Sequence, residues 1–385
     1  MHLYKISQHI NIISFDIPFP ANYGGVIDVY YKIVELHKQN IKVHLHCFKY
    51  GRNEAPELEK ICEKVYYYNR NTSIINQFNF LPFTVKSRLN GKLLNNLKSN
   101  NYPILFEVLH TCYLLKNNDL KNRFKIYRHS NIEHDYYNAL AKGESNWLKK
   151  IYFKIEAFKL KSFEKIVNHA QLILTVNQKD TQYFKTKYPN VKTEYLPSFH
   201  GFNQINLSTN LKNQILFHGN LSISENYNAA IWIINEIASK VPFEFIFAGL
   251  NPKQKLVSLI NQNKNCKLIA NPNETELQSL IKDSLINILY THQATGLKLK
   301  LLNVLYNATH IICNSKMIEG TTIEAKGGVI IANTPNEFII AISNLTKAST
   351  NSNLNLERQE LINSYNNQIN AEKLIKWVKL KSPQI

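Results

Sequence analysis

The sequence predicts an α/β protein of two Rossmann-like βα domains in series, each with a parallel sheet. Three observations lead there. The 385 residues exceed one ordinary core, and length alone suggests roughly two domains. Short apolar runs of strand length alternate with amphipathic segments of helix length, the pattern of consecutive βα units. A polar stretch rich in Asn, Ser and Thr, from about 199 to 213, interrupts this series before a second one begins. The expected division is an N-terminal domain over 1–198, a linker over 199–213, a second domain over 214–355, and a helical segment over 356–385 that leans back onto the first half.

The first series opens with the apolar run Ile10 to Phe15, a candidate buried strand ended by Asp16-Ile17-Pro18-Phe19-Pro20. Gly24-Gly25 then turns into a helix from about Val26 to Gln39, whose apolar residues recur with a 3.6-residue period. Val43 to Phe48 follows as a strand, and strand–glycine turn–helix–strand implies a parallel sheet with its ligand edge at the strand C-termini. Further strands are expected at Val65–Tyr68, Ile104–Val108, Lys125–Tyr127 and Leu172–Val176, with a helix over Ser87–Asn100. Titratable groups crowd two of these strand ends, at His110 and at Arg128-His129. Ser145 to His169 reads as one long helix with six lysines interleaved among Trp147, Ile151, Phe153, Phe158 and Phe163. Two readings stand: a helix lying on an anionic membrane, or a core helix with a solvated lysine face.

The second series begins at Ile215-Leu216-Phe217 with the turn His218-Gly219-Asn220-Leu221, followed by a helix over about Asn226–Val241. Strands are expected at Glu244–Ala248, Cys266–Ile269, Ile286–Tyr290, Ile311–Cys313 and Val329–Ala332, with closing helices over Glu337–Leu345 and Glu357–Leu380. The stretch from Gly296 to Asn314 sets a glycine turn and two lysines, Lys298 and Lys300, at the start of an apolar helix. Helix N-termini offer free N–H donors and partial positive charge to an anion, and lysine adds full charge. This pattern fits a phosphate site or an ordinary βα unit whose lysines face water.

The formal net charge of +18 calls for an anionic partner, although a Lys- and Asn-rich composition accounts for part of the excess. No nucleic-acid-binding motif appears, so nucleic acid is not an expected partner. Five scattered cysteines without a C-x-x-C pair argue against a zinc site or disulfide framework and suit a reducing cytosol. The N-terminus lacks the apolar core of a signal peptide, and no apolar run approaches the ~18 residues of a membrane span. A cytoplasmic protein, with the helix at 145–169 as a candidate contact to the inner membrane face, is the expected localisation.

In this order, Phe217-His218-Gly219-Asn220-Leu221 with Asn226, Phe247-Ala248-Gly249, the loop Ile269 to Pro272, Thr295 to Asn303 and Glu319-Gly320-Thr321 resemble glycosyltransferases of the GT-B fold, family 4 (retaining) type. The resemblance covers nearly the whole chain. It implies two domains facing across a cleft and transfer of a sugar from a nucleotide-diphosphate donor, with retention, no cofactor and no required metal. The acceptor would be a glycan or a lipid-linked sugar. Lys298 and Lys300, with the amides of Gly296 and Leu297, would hold the diphosphate; Gly219 would lie at its turn, and Ile269 and Asn271 beside the base. Gly24 and Gly25 would border the acceptor and the leaving phosphate, and His129 would be the catalytic contact near the transferred sugar.

The sequence departs from the family pattern at named positions. Where the family commonly has two glutamates eight residues apart, the second accepting from the ribose, this chain has Thr295 and Asn303, of which Asn303 would still hydrogen-bond the ribose, without charge. Ser222 to Glu225 stands where a lysine or arginine is common. Two alternatives therefore accompany a glycosyltransferase building a cell-surface glycan or glycolipid: a non-catalytic glycosyltransferase-like subunit or sugar-binding module, and a nucleotide-sugar epimerase.

Overall fold

Among the described residues thirteen strands sort into two sheets, and every strand pair in both is parallel. The computed structural model describes residues 8–144, 146–293, 296–345 and 353–379. The chain divides into two compact units, the first formed by residues up to Gly201, 296–297 and the chain from Tyr365 onward, the second by the remainder. The α/β class and the two Rossmann-like domains are as the sequence predicts.

In the first unit β1 (Gln8–Ser14), β2 (Ile41–Lys49), β3 (Lys64–Asn69), β4 (Ile104–Glu107), β5 (Lys125–Arg128), β6 (Leu172–Thr175) and β7 (Lys192–Tyr195) take the order β3-β2-β1-β4-β5-β6-β7. Successive strand residues point to opposite faces. Leu105 and Ile126 accordingly join one core layer with Val29, Ile33 and Leu36 of the helix Gly24–Lys38. Ile104, Phe106 and Tyr127 join the layer on the other face. Both faces are covered, which explains strands that read as nearly unbroken apolar runs.

A buried network of four charges crosses the first layer. Lys32 reaches Glu107 at 2.6 Å and Asp28 at 3.2 Å. Arg128 donates to both carboxylate oxygens of Asp28 at 3.1 Å and to the Leu196 and Pro197 carbonyls. Asp28 also accepts from the Phe199 amide at 2.7 Å. Phe199 and His200 are thus core residues of the first unit and not the start of a linker; the division falls after Gly201.

In the second unit β8 (Lys212–His218), β9 (Glu244–Gly249), β10 (Cys266–Ala270), β11 (Ser284–Leu289), β12 (His310–Cys313) and β13 (Val329–Ile331) take the order β10-β9-β8-β11-β12-β13. The helix Leu354–Ile362, read in sequence as part of the segment returning to the first half, stays with this unit. Fully buried Arg358 anchors it, donating to the carbonyls of Gly327, Leu305, Ala308 and Thr309. The return begins at Tyr365, and the helix Asn367–Lys379 places Ala371, Leu374 and Val378 in the first unit's core. The single closing helix expected over 357–380 is therefore two.

Other boundaries differ for local reasons. The expected helix over Ser87–Asn100 is two short ones, Phe83–Lys86 and Gly91–Lys98; Asn90 caps the second by accepting from Lys92 and Leu93 amides. The long basic helix runs over Trp147–Phe163, capped by Asn146, and tightens to a 3₁₀ turn at Glu164–His169. The helices Glu133–Gly143 and Gln254–Gln262 were hidden in sequence by titratable and polar residues. Among the described residues no helix is long and apolar enough to cross a membrane.

Two outcomes follow. Arg358→Met strands several buried carbonyls at about 1–3 kcal/mol each, so a loss of at least about 3 kcal/mol should appear as a lowered urea midpoint. Acid titration tests the buried carboxylates. Burial alone would raise the values of Asp28 and Glu164, but Arg128 and Lys32 beside Asp28, and hydrogen bonds from His134, Lys187, Tyr183 and Tyr188 to Glu164, bring each down to about 2. Carboxylates depressed in the folded state stabilise it above their unfolded value near 4, and that contribution vanishes as pH falls towards 2. Circular dichroism melts should lose stability steeply across that window, and Glu164→Gln should flatten the loss while costing roughly 2–3 kcal/mol at pH 7.

Candidate functional site

The turn after β8 is built from two glycines. Gly219 adopts φ +155, a region that favours glycine. A Cβ on Gly249, at the end of β9, would lie 1.7 Å from the Gly219 carbonyl oxygen. Close approach of the two strand ends therefore requires glycine at 249. A Cβ on Gly219 would meet the Asn226 side chain at 2.9 Å, so the turn also fixes Asn226, whose Nδ2 donates to the Asn220 carbonyl at 3.1 Å.

Against this turn sits the start of the helix Leu299–Asn307, with Lys298 as its N-cap. Lys300 Nζ donates to Asn226 Oδ1 at 2.9 Å and lies 5.4 Å from the Phe217 ring centroid. Lys298 Nζ pairs with Glu225 Oε1 at 3.2 Å. Glu225 also accepts from Gln293 Nε2 at 2.8 Å and from the Thr291 hydroxyl. Thr291 is held in turn by Asn314, which donates to its carbonyl at 2.7 Å. One anionic and two cationic groups thus meet at a glycine turn and a helix N-terminus, with Glu225 paired to Lys298 and Lys300 bonded to Asn226, a geometry that can receive an anion.

The electrostatics match that geometry. Burial pushes the Lys300 ammonium down to about 8, opposed by Glu225 and reinforced by Lys298. Burial carries the Glu225 carboxyl up, but Lys298 and the donors Thr291 and Gln293 hold it below its ordinary value. His218, the last residue of β8, is buried with neither ring nitrogen hydrogen-bonded. Burial, with the Lys300 charge, takes it down to about 3, so it is neutral and can serve as a donor or acceptor.

The sequence-named residues separate into groups. Gly219, Lys298 and Lys300 converge. Asn303 lies one turn further along the helix, and its Oδ1 accepts from Asn307 at 2.9 Å. Ile269 is partly buried near the end of β10; Asn271, just after it, is exposed at φ +53, and its Oδ1 accepts from the Asn251 amide at 2.7 Å, tying two loops together. Gly296 (φ +63) and Leu297 group with the first unit, outside this cluster. Thr295 lies outside the described residues.

In the first unit Gly24 and Gly25 open the helix Gly24–Lys38, and a Cβ on Gly25 would fall 2.6 Å from the Phe15 ring. Around that turn stand Arg52, which caps the Ile17 and Pro20 carbonyls and lies 5.0 Å from the Tyr23 ring, and buried Arg88, which binds the Phe15 and Thr84 carbonyls. Burial and the neighbouring Arg70 bring Arg88 down to about 9. This guanidinium-rich edge was missed in sequence because Arg52 and Arg70 follow different strands and Arg88 comes from the turn between two short helices.

His129 requires a correction. It is fully buried, with Nε2 on Asp180 Oδ2 at 3.0 Å, Nδ1 on the Tyr127 hydroxyl at 3.2 Å and Phe184 edge-on. Neither nitrogen is open to a sugar. Its polar strand-end position suggested chemistry, but Asp180 on the next helix supplies a buried partner instead. The more accessible pair nearby is His110 with Glu133, 3.3 Å apart.

No family model matches the sequence. Among solved structures, the pneumococcal O-GlcNAc transferase GtfA in complex with UDP and GlcNAc aligns with TM-score 0.65 at 9% identity, covering 98% of this chain and all of that one. The OtsA apo structure aligns at 0.63 and 10%, over 98% and 100% of the two chains. Anabaena Alr3699/HepE in complex with UDP-glucose aligns at 0.63 and 11%, over 96% and 99%. Such likeness establishes the fold, the GT-B architecture of paired Rossmann-like units. In sequence the chain is 30% identical over 360 residues to an uncharacterized 44.6 kDa protein in the cps region of Klebsiella pneumoniae, covering 88% of this chain and 91% of that protein. The chain therefore belongs to the same family as that Klebsiella protein.

Proposed function

We propose that the protein is a glycosyltransferase of the retaining, family 4 type, moving a sugar from a nucleotide-diphosphate donor to a glycan, glycolipid or related acceptor. The observation that carries this reading is the convergence of Lys298, Lys300 and the N-terminus of helix Leu299–Asn307 on the Gly219 turn. The solved structures of GtfA with UDP and of HepE with UDP-glucose, similar over nearly their whole length, support it. In this reading the donor's phosphates displace Glu225 from Lys298. Two ammonium groups and the helix dipole then neutralise the charge that develops on the leaving diphosphate, without a required metal. Gly24 and Gly25 would border the acceptor beside the Arg52 and Arg88 edge. Buried His129 would position the end of β5 and would not touch sugar.

One observation favours a second reading, a nucleotide-sugar-binding subunit without transfer activity. Asn303 replaces a ribose-binding acid and is already bonded to Asn307. Incubation with UDP-glucose and with other nucleotide sugars, with glycan and lipid extracts as acceptors, separates the two: binding without donor hydrolysis or transfer marks the subunit.

Isothermal titration with UDP and UDP-glucose checks the site. Lys298→Ala should cost roughly 1.5–3 kcal/mol of affinity, the range for hydrogen bonds to charged groups; unchanged affinity would remove Lys298 from the site. The pH dependence has a definite sign. Lys300 must be protonated to hold phosphate and titrates near 8, so affinity should fall as pH rises through 8, by up to about tenfold per unit. Lys300→Arg should shift that fall to higher pH.

A further inference from the structure

One face of the first unit exposes apolar side chains far beyond the scatter usual on a soluble surface. On the helix Trp147–Phe163, the residues Trp147, Leu148, Ile151, Ile155 and Phe158 are all exposed, Phe158 to 76%. At 100° per residue they fall within a stripe about 100° wide. The helix's buried residues, Glu156, Ala157 and Leu160, lie on the other side. A second segment carries Ile74, Ile75, Phe78 and Phe80, the last two 87% and 101% exposed. It is fixed alongside the helix: Lys159 Nζ donates to the Gln77 carbonyl at 2.9 Å, and the Phe83 amide donates to Glu156 at 2.7 Å.

Charge along this helix is predominantly basic. Residues 147–169 hold six lysines, Lys149, Lys150, Lys154, Lys159, Lys161 and Lys165, and two acids. Both acids point inward: Glu156 is 0% exposed and paired with Lys159, and Glu164 is 1% exposed and paired with Lys187. On the helical wheel Lys150, Lys154 and Lys161 border one side of the apolar stripe, and Lys159 borders the other. Where the second segment meets the end of the helix, an open cleft of about 330 Å³ is lined by Phe80 and Phe163 together with Lys116, Lys159, Lys165 and His169.

We infer that this face docks on an anionic lipid bilayer, with the aromatic and aliphatic stripe entering the acyl boundary and the basic cleft receiving a lipid phosphate. An apolar stripe rimmed by lysines is the design of a helix lying in a membrane interface. Each lysine held near an anionic surface contributes about 1 kcal/mol; Glu156 offsets Lys159, so the attraction rests on Lys150, Lys154 and Lys161 along the stripe and Lys165 at the cleft. A second copy of the chain is the poorer occupant, because a two-fold interface would set this lysine rim against itself. The surface belongs to the first unit alone and stands independently of the proposed transfer reaction.

Vesicle flotation with the full chain tests it, using phosphatidylcholine vesicles with and without phosphatidylglycerol. The bound fraction should be on the order of tenfold or more higher with phosphatidylglycerol, fall with added NaCl, and bring a blue shift in the emission of exposed Trp147. Phe78→Ser/Phe80→Ser/Phe158→Ser and Lys150→Glu/Lys154→Glu/Lys161→Glu should each abolish flotation at unchanged melting temperature, while Lys→Arg at the same three lysines retains it. Equal binding to neutral vesicles, no binding to either, or a dimer in light scattering that the phenylalanine variant dissociates would each overturn the proposal. UDP titration of the same variants keeps this result separate from the donor site.

Discussion

The first unit depends on one buried electrostatic circuit that runs Glu107–Lys32–Asp28–Arg128. The two acids and two bases come from the helix Gly24–Lys38 and from the ends of β4 and β5. Because all four are buried, none can fall back on water, and removing one member costs about 3–5 kcal/mol by leaving its partner uncompensated. The circuit splits the two acids unequally. Arg128 and Lys32 hold Asp28 low, whereas burial raises Glu107. Arg128 and Asp28 also bind the backbone at 196, 197 and 199. One network therefore fixes the angle of the first helix, the ends of two central strands and the chain's exit from the unit.

The second unit solves the same problem with backbone. Arg358 satisfies the carbonyls that end the helix Leu299–Asn307, while the Gly219–Gly249 contact draws two strand ends together. The helix bearing Lys298 and Lys300 is thus held at both of its ends. That rigidity permits an arrangement which would otherwise relax: a partly buried ammonium near pH 8 and a neutral, unbonded imidazole side by side. Charge left strained in this way is a common mark of a binding site.

Much of this was legible in the sequence, and the failures share a cause. Strands buried on both faces announce themselves as apolar runs, and the glycine–lysine start of helix Leu299–Asn307 reads directly from residue order. Partners from distant positions do not. Asp180 neutralises the apparent promise of His129 from 51 residues away. Asn307 occupies Asn303, and Asn251 occupies Asn271. Glu225 looked like a missing basic residue; in the fold it is the counter-charge of Lys298. The lysine pattern at 149–165 was visible, but only the fold shows that its two acids turn inward and that 74–80 lies beside it.

The return of the chain at Tyr365 bears on the order of assembly. The helix Asn367–Lys379 supplies core side chains to the unit that β1 begins, so the first unit cannot close until the ribosome has made the residues up to 379. The second unit owns all of its strands in one continuous stretch and can complete itself earlier, the reverse of the usual N-terminal-first sequence. Until then the part of the helix Gly24–Lys38 that faces Ala371, Leu374 and Val378 stays open, although its sheet-facing side is already packed, and pairing it with residues more than 300 positions later is a slow, long-range closure. A nascent chain cut short before 367 would leave that core open in every copy.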